Sequence, residues 1–247
     1  MVDGTSGERF PWRAFLGLTA IAATGLALSF PPPPPLATFA VGLFDLAAMV
    51  ASGLRLGRAA GLDPSLLVRR RDGAARRAIP ALVVGALAGL GLGGALLLWL
   101  RLSPGNALIR SGYAAQSAAP AWQRWLLAFD AAAVEETGFR LFLVSALLWL
   151  AGRTWLPSAR WPAARRAWLS IAVVAFAFGL AHLPKWLALA PASVGLVTTV
   201  LVLNASGGLV FGLLYWRRGI EAAMVGHFVA DVVLHVLGPA LFRGPQG

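Results

Sequence analysis

The sequence of 247 residues contains no cysteine and few charged side chains. The absence of cysteine excludes a disulfide-stabilised scaffold. Charged residues make up 13% of the chain and hydrophobic residues 58%, whereas an ordinary soluble domain carries roughly 25% charged residues. The chain therefore lacks the polar surface that a soluble domain needs, and it is too apolar to be intrinsically disordered.

Acidic side chains are especially scarce, because 10 Asp and Glu face 21 Lys and Arg, giving a net charge of +11. A pI of about 11.7 would suit a nucleic-acid-binding protein, but the mean hydropathy of +0.73 does not. The combination indicates a polytopic membrane protein whose loops carry the positive charge. Any acid inside a membrane segment then requires a specific reason to be there.

Seven apolar stretches approach the ~20 residues that a membrane helix needs. They cover residues 12–30, 36–54, 79–100, 121–150, 168–189, 192–216 and 220–241. The long fourth stretch either tilts strongly or begins with an interfacial turn that carries Trp122 and Trp125, and an eighth, re-entrant piece is an alternative. The sequence thus predicts an all-α protein, one integral membrane domain over residues 1–247, with seven or eight helices around an intramembrane polar cavity.

The distribution of basic residues predicts the orientation. Five basic residues fall on one side of the alternating loops: Arg101, Arg110, Arg124, Lys185 and Arg243. Fifteen fall on the other side: Arg9, Arg13, Arg55, Arg58, Arg69, Arg70, Arg71, Arg76, Arg77, Arg153, Arg160, Arg165, Arg166, Arg217 and Arg218. Positive residues concentrate in cytoplasmic loops, so we expect an inside N-terminus and an outside C-terminus. The richness in Ala, Arg and Gly indicates a bacterial source and hence the inner membrane. A signal peptide is the alternative interpretation of the first stretch.

Half of the acids have ordinary positions: Asp3, Glu8, Asp63 and Asp72 lie outside the apolar stretches, and Glu221 lies at the start of the last one. Glu221 begins the last helix, where the helix dipole favours a carboxylate. The other acids and all three histidines lie inside apolar stretches: Asp45, Asp130, Glu135, Glu136, Asp231, His182, His227 and His235. An ionisable side chain at mid-bilayer costs about 2.5–3.5 kcal/mol, so we expect these groups to face one another or a wet cavity.

The fourth stretch carries two adjacent glutamates with different surroundings. Glu136 and Arg140 are four residues apart and share a helix face, so they can neutralise each other. Glu135 points about 100° away and must find its partner on another helix. Helix packing would explain the Glu136–Arg140 pair alone, but it does not explain the second glutamate.

Two later stretches place polar residues one helical turn apart. His182 follows Phe178 by four residues, just before Pro184. His227, Asp231 and His235 form a stripe at i, i+4 and i+8 on an otherwise apolar helix. Such a stripe faces the bundle interior, where it could bind a metal, relay a proton or supply hydrogen-bond donors.

Two isolated acids are less informative. Asp45 stands alone on the second stretch, where we expect it to pair with an interior polar group. Asp130 precedes Glu135 by five residues and is therefore off its face, near the outer end of the fourth stretch.

Together, the motifs resemble the CPBP family of intramembrane proteases, also called the CAAX prenyl protease and bacteriocin-processing (Abi) family. The family pattern has Glu-Glu-x-x-x-Arg on one helix, Phe-x-x-x-His on a later one and His-x-x-x-Asn/Asp on another. This chain has the same motifs in the same order, as Glu135-Glu136-x-x-x-Arg140, Phe178-x-x-x-His182 and His227-x-x-x-Asp231. The resemblance covers roughly residues 120–235, within a motif-bearing core of about residues 120–241.

This resemblance implies a glutamate-dependent endopeptidase that cleaves a membrane-associated protein or peptide, without a cofactor or nucleic acid. Eukaryotic members remove the last three residues of prenylated CAAX proteins. By analogy, Glu135 is the general base that activates water, which His182 helps to hold, and His227 with Asp231 stabilises the oxyanion. Glu136 and Arg140 match the supporting pair, and Phe178 and His235 are expected to line the substrate cavity.

Asp231 complicates the analogy, because an ionised aspartate would repel an oxyanion where asparagine would donate to it. Asp231 must therefore be protonated, orient His227 or ligate a metal. Glu135, His182, His227 and Asp231 are acceptable zinc ligands, although the His-Glu-x-x-His motif is absent. The resemblance implies a metal-independent mechanism, with zinc at these four residues as the alternative.

Other functions use the same residues. A transporter or proton relay would carry ions on the buried acids and histidines. A non-catalytic immunity or scaffold protein is a further alternative, for which we would expect at least one motif residue to be lost, whereas all are present. A rhomboid-type serine protease would use Ser206 with His227, but Gly208-x-x-x-Gly212 beside that serine is more simply a close-packing face. Cleavage in detergent would indicate a protease, and dependence on a membrane gradient would indicate a transporter.

Overall fold

Helices account for nearly all of the chain described by the computed structural model, which covers residues 10–28, 35–68, 74–102, 107–154 and 163–242. The described part contains no strand and eight helices. In chain order these are α1 Trp12–Leu28, α2 Leu36–Ala59, α3 Ala74–Leu102, α4 Ala107–Ala115, α5 over residues 121–153, α6 Ala163–Leu187, α7 Val194–Arg218 and α8 Ile220–Phe242. The predicted all-α class is confirmed.

Each of the seven predicted stretches coincides with one helix, and α4 is the additional element. Five helices are long and apolar enough to cross a membrane: α2, α3, α6, α7 and α8. Two other helices match predicted stretches. These are α1, which has 17 residues, and α5, which carries the charged motif. With 9 residues, α4 spans only about 14 Å, well short of a hydrocarbon core of about 30 Å.

Several boundaries differ from the predicted ones. The α2 helix continues to Ala59, so Arg55 and Arg58 lie on its last turns rather than in a loop. The α5 helix begins directly after Pro120, so Trp122 and Trp125 are exposed in its first turns and no separate interfacial turn carries them. Other predictions concern residues outside the described ranges: Asp3, Glu8, Arg9, Arg69, Arg70, Arg71, Asp72, Arg160 and Arg243. The same holds for the side chains of Arg76 and Arg77.

A row of glycines brings α3 unusually close to α8. Gly85, Gly89 and Gly93 lie four residues apart on the face of α3 that packs against α8. A Cβ atom added at Gly89 would overlap the carbonyl oxygen of Gly226, one residue before His227. Small residues at this spacing allow helix backbones to approach each other in a membrane. The row therefore fixes the depth and rotation of the helix that carries the histidine stripe.

A second close contact joins α6 to α7. A Cβ atom at Gly208 would lie 2.6 Å from Cα of Ala175, and one at Gly212 would lie 2.6 Å from Cγ2 of Ile171. The predicted packing role of Gly208-x-x-x-Gly212 is therefore confirmed. This contact holds α6, and with it His182, against the centre of the bundle.

Both long motif helices change from α to π geometry beside their polar residues. The π segment of α5 is Glu136–Val144, and that of α8 is Val232–Leu237. Such π segments rotate the side chains that follow them and occur often at functional sites. In α6 the regular helix ends at Ala181 and resumes at Leu183, so His182 occupies a break just before Pro184.

The loop after α2 is tied to the turn between α7 and α8. The Glu221 carboxylate accepts hydrogen bonds from the Ser65 hydroxyl and from the backbone N–H of Leu66, and the N–H of Ile220 donates to the carbonyl of Pro64. Glu221 thus binds a loop in addition to favouring the helix dipole. The two loops lie on the same side of the bundle, as the distribution of basic residues requires.

Candidate active site

The three motif helices bring the predicted site residues into one cluster. Glu135, Glu136 and Arg140 come from α5, and Phe178 and His182 come from α6. The stripe of His227, Asp231 and His235 comes from α8. Helices far apart in sequence therefore converge on a single polar centre within an apolar bundle.

The innermost part of this cluster is a buried ion pair. Nη1 of Arg140 lies 2.9 Å from Oε1 of Glu136, and the two side chains are 1% and 0% exposed. The same glutamate oxygen accepts a hydrogen bond of 2.8 Å from Nδ1 of His227. A carboxylate has no hydrogen to give, so Nδ1 carries the proton and the ring orientation is fixed. Glu136 thus joins α5 to α8, and Nε2 of His227 faces Glu135 and Asp231.

Aromatic rings enclose the buried charge. The Arg140 guanidinium lies 4.3 Å from the ring centroid of Phe178 and 5.5 Å from that of Phe211. A cation held over aromatic faces gains about 2 kcal/mol when desolvated. Phe178 is 3% exposed and also contacts the His182 ring, so it packs against both Arg140 and His182. The sequence predicted that Phe178 lines the substrate cavity. Because Phe178 is buried, partly exposed neighbouring residues line the open side of the cluster instead.

Phe211 had no distinguishing signal in the sequence, being one of 13 phenylalanines. Its ring stacks on His227 with centroids 4.7 Å apart and planes inclined by 17°. Stacking on one side and the Glu136 hydrogen bond at Nδ1 leave the His227 ring little freedom. Phe211 is therefore part of the site.

Glu135 occupies the more open side of the cluster, with its side chain 29% exposed. Its Oε1 lies 3.7 Å from Nε2 of His182, and its Oε2 lies 3.8 Å from Nε2 of His227. Both separations are longer than a direct hydrogen bond and suit a polar group held between the atoms. The two glutamates thus differ as their helix positions predicted, one paired internally and one facing other helices.

The break in α6 fixes the ring of His182. Nδ1 of His182 donates a 2.8 Å hydrogen bond to the carbonyl of Phe178, one turn back. The other ring nitrogen, Nε2, therefore points at Glu135. Because His182 interrupts the helix, its ring can reach the cluster from the edge of α6.

The two oxygens of Asp231 face different histidines. Oδ2 lies 3.6 Å from Nε2 of His227, and Oδ1 lies 3.9 Å from Nε2 of His235. His235 in turn donates a 2.8 Å hydrogen bond from Nδ1 to Oε1 of Gln116, and its ring packs on Tyr113. The polar stripe of α8 is thus connected to Tyr113 in α4 and to Gln116 just after α4. The sequence did not suggest this connection.

The isolated acids are placed elsewhere. Asp45 is exposed on the surface of α2, so the expected pairing with an interior polar group is wrong. Asp130 is half-buried in α5, where its backbone packs against Gly25 of α1. The periodicity of an apolar helix gave no indication of which face of α2 meets its neighbours.

In the described part of the chain, no set of three or more His, Asp and Glu side chains has the geometry of a metal site. The alternative zinc ligands Glu135, His182, His227 and Asp231 do share one cluster. Their chemical types suit zinc, so metal analysis of the protein is the relevant test.

Fold and site together define a multi-pass membrane protein with a carboxylate–histidine centre. Residues 117–233 match the model of a protein family described as type II CAAX prenyl endopeptidase Rce1-like. Over this region the chain is similar to Rce1-like CAAX prenyl endopeptidases, in agreement with the family resemblance that its motifs predicted. Neither the curated proteins nor the solved structures yielded a match to the chain.

Proposed function

We propose that this protein is a glutamate-dependent intramembrane endopeptidase in which Glu135 activates the attacking water. The observation that carries the proposal is the position of Glu135, whose two oxygens lie 3.7 and 3.8 Å from nitrogens of His182 and His227. A water molecule bridging these groups would have one strong acceptor and two ring nitrogens to orient it. The neighbouring Glu136 has its ion pair with Arg140 and is unsuited to this role.

The reaction follows from this arrangement. Glu135 takes one proton from water as the water oxygen bonds to the scissile carbonyl carbon. The carbonyl oxygen becomes an oxyanion in a tetrahedral intermediate. When the oxyanion re-forms the C=O bond and the C–N bond breaks, Glu135 returns the proton to the leaving nitrogen, which gives a free amine and a new carboxylic acid. The acid then loses its remaining proton to water and becomes a carboxylate. Glu135 thus acts first as base and then as acid.

His227 is placed to stabilise the oxyanion. Its Nδ1 already donates to Glu136, so donation to an oxyanion requires a second proton on Nε2. The imidazolium would be balanced by Glu136 and by Asp231, whose Oδ2 lies 3.6 Å from Nε2. Asp231 then orients His227 and balances its charge, a role that does not require aspartate itself to donate. In this role an ionised aspartate is compatible with an oxyanion on His227.

The family match and the open side of the site support a membrane-associated protein or peptide as the substrate. A membrane-associated protein or peptide would reach Glu135, His182 and His235 from the partly exposed side of the cluster. We propose a metal-independent mechanism in a bacterial inner membrane, with the N-terminus inside and the C-terminus outside.

The test compares native membranes containing the wild-type protein with membranes containing Glu135→Gln. Mass spectrometry of new protein termini should show fragments that accumulate only with the wild type. Arg153→Met is a matched control, because Arg153 is exposed at the end of the same helix. Identical protein termini in the wild-type and Glu135→Gln samples would contradict the proposal. An activity that depends on the membrane gradient, without any cleavage, would indicate a transporter.

A further inference from the structure

The end of α4 makes a polar contact with the site from outside the matched family region. Gln116 immediately follows α4, and its Oε1 accepts a 2.8 Å hydrogen bond from Nδ1 of His235. Gln116 precedes the matched residues 117–233 and His235 follows them. The contact is therefore a property of this chain that the family match alone does not supply.

This contact orients the His235 ring. Tyr113, one turn before Gln116, packs on the ring at 5.0 Å between centroids, and it is buried at 6% exposure. With Nδ1 committed to Gln116, the other nitrogen of His235 faces Oδ1 of Asp231 at 3.9 Å. The π segment Val232–Leu237 sets where the ring emerges from α8.

Asp231 thereby lies between two histidines, with one oxygen facing each at 3.6 and 3.9 Å, separations that suit a bridging polar group as around Glu135. Its Oδ2 faces His227, whose Nδ1 hydrogen-bonds Glu136. A carboxylate that lost its contact at Oδ1 could rotate about its terminal torsion, which has a broad preference, and Oδ2 would leave His227. A chain of contacts thus runs from Gln116 through His235 and Asp231 to His227.

We propose that Gln116 and His235 are positioning residues that fix the Asp231 carboxylate and, through it, the imidazole of His227. This inference rests on the proposed endopeptidase function for its kinetic consequences. The chain of contacts itself can be tested without any activity. The short helix α4, which is too short to span the membrane, would then hold the outer end of the active site in place.

The test that needs no substrate uses the three histidines of the chain. In ¹⁵N-histidine NMR spectra of the detergent-solubilised protein, Gln116→Leu should shift the imidazole signals of both His235 and His227. Ser117→Ala is the matched control, because the Ser117 hydroxyl donates to the carbonyl of Ala114 and should move neither signal. A Gln116→Leu spectrum in which His227 is unchanged would overturn the inference.

The kinetic test uses an internally quenched peptide ending in a farnesylated Cys-a-a-X sequence as probe. Gln116→Leu should lower kcat about tenfold with KM within twofold, and Gln116→Glu, which keeps an acceptor oxygen, should restore kcat to within threefold. His235→Gln keeps a polar nitrogen near the Nε2 position and should retain more activity than His235→Asn. Losses confined to KM, or equal losses in all four variants, would overturn the positioning role.

The proposed endopeptidase function and the positioning role of Gln116 and His235 are contradicted by different results. If Glu135→Gln cleaves the probe like wild type, the proposed function is contradicted while the NMR experiment still decides the contact chain. If Glu135→Gln is inactive but Gln116→Leu keeps wild-type kcat, only the positioning inference is overturned.

Discussion

Removing the buried guanidinium of Arg140 should destabilise the bundle strongly. In Arg140→Met the Glu136 carboxylate, which is fully buried, loses its partner at 2.9 Å and keeps only His227. Breaking a buried ion pair in this way costs about 3–5 kcal/mol. The lost contact with the Phe178 ring at 4.3 Å adds a term of about 2 kcal/mol, so the sum is about 5–7 kcal/mol.

A double variant separates the uncompensated charge from the lost packing. In Arg140→Met with Glu136→Gln, no buried charge remains unpaired, and an amide oxygen still accepts from His227. At least half of the lost stability should therefore return, because apolar replacements of buried ion pairs are often neutral. The measurement is the free energy of unfolding in detergent, by titration with a denaturing detergent. Arg153→Met, at an exposed position of α5, should stay within about 1 kcal/mol of wild type.

This reasoning would be refuted if the losses of unfolding free energy in the two single variants were additive in the double variant. If Glu136→Gln adds its own loss to that of Arg140→Met, the two side chains are not energetically coupled. A loss below about 1 kcal/mol in Arg140→Met would likewise show that the guanidinium is solvated and not buried as described.

Three further predictions concern other parts of the molecule. Gly89→Leu should prevent close packing of α3 on α8 and sharply reduce the monodisperse fraction in size-exclusion chromatography, whereas Gly91→Leu, at a position with open space around it, should not. Glu221→Ala should leave the Leu66 N–H and the Ser65 hydroxyl without their acceptor and cost about 1–3 kcal/mol in the same unfolding assay; an unchanged stability would contradict the loop contact. Exhaustive chelation should leave the rate of probe cleavage unchanged, and a requirement for stoichiometric zinc would refute the metal-independent mechanism.

Much of the site was predictable because ionisable residues are costly in apolar helices. Glu135, His182, His227 and Asp231 stood out from their surroundings, and helix periodicity separated Glu135 from its neighbour Glu136. Those expectations needed only local geometry, and the structure places all five residues in one cluster.

Other features depend on contacts between helices, which local periodicity does not determine. Phe211 and Gln116 belong to common residue types, and their roles come only from the helices they face. The exposure of Asp45 depends on which face of α2 meets its neighbours. The π segments after Glu135 and Asp231 arise from tertiary packing that α-helix propensity does not encode.

The central claim is that Glu135, and not its neighbour Glu136, activates the water. The most direct measurement is kcat of purified wild type and Glu135→Gln on the farnesylated Cys-a-a-X probe in detergent, with the melting temperature of each protein recorded alongside. Loss of a general base predicts a decrease of about 10²–10⁴-fold in kcat for Glu135→Gln at an unchanged melting temperature. Wild-type turnover by a folded Glu135→Gln variant would contradict the account.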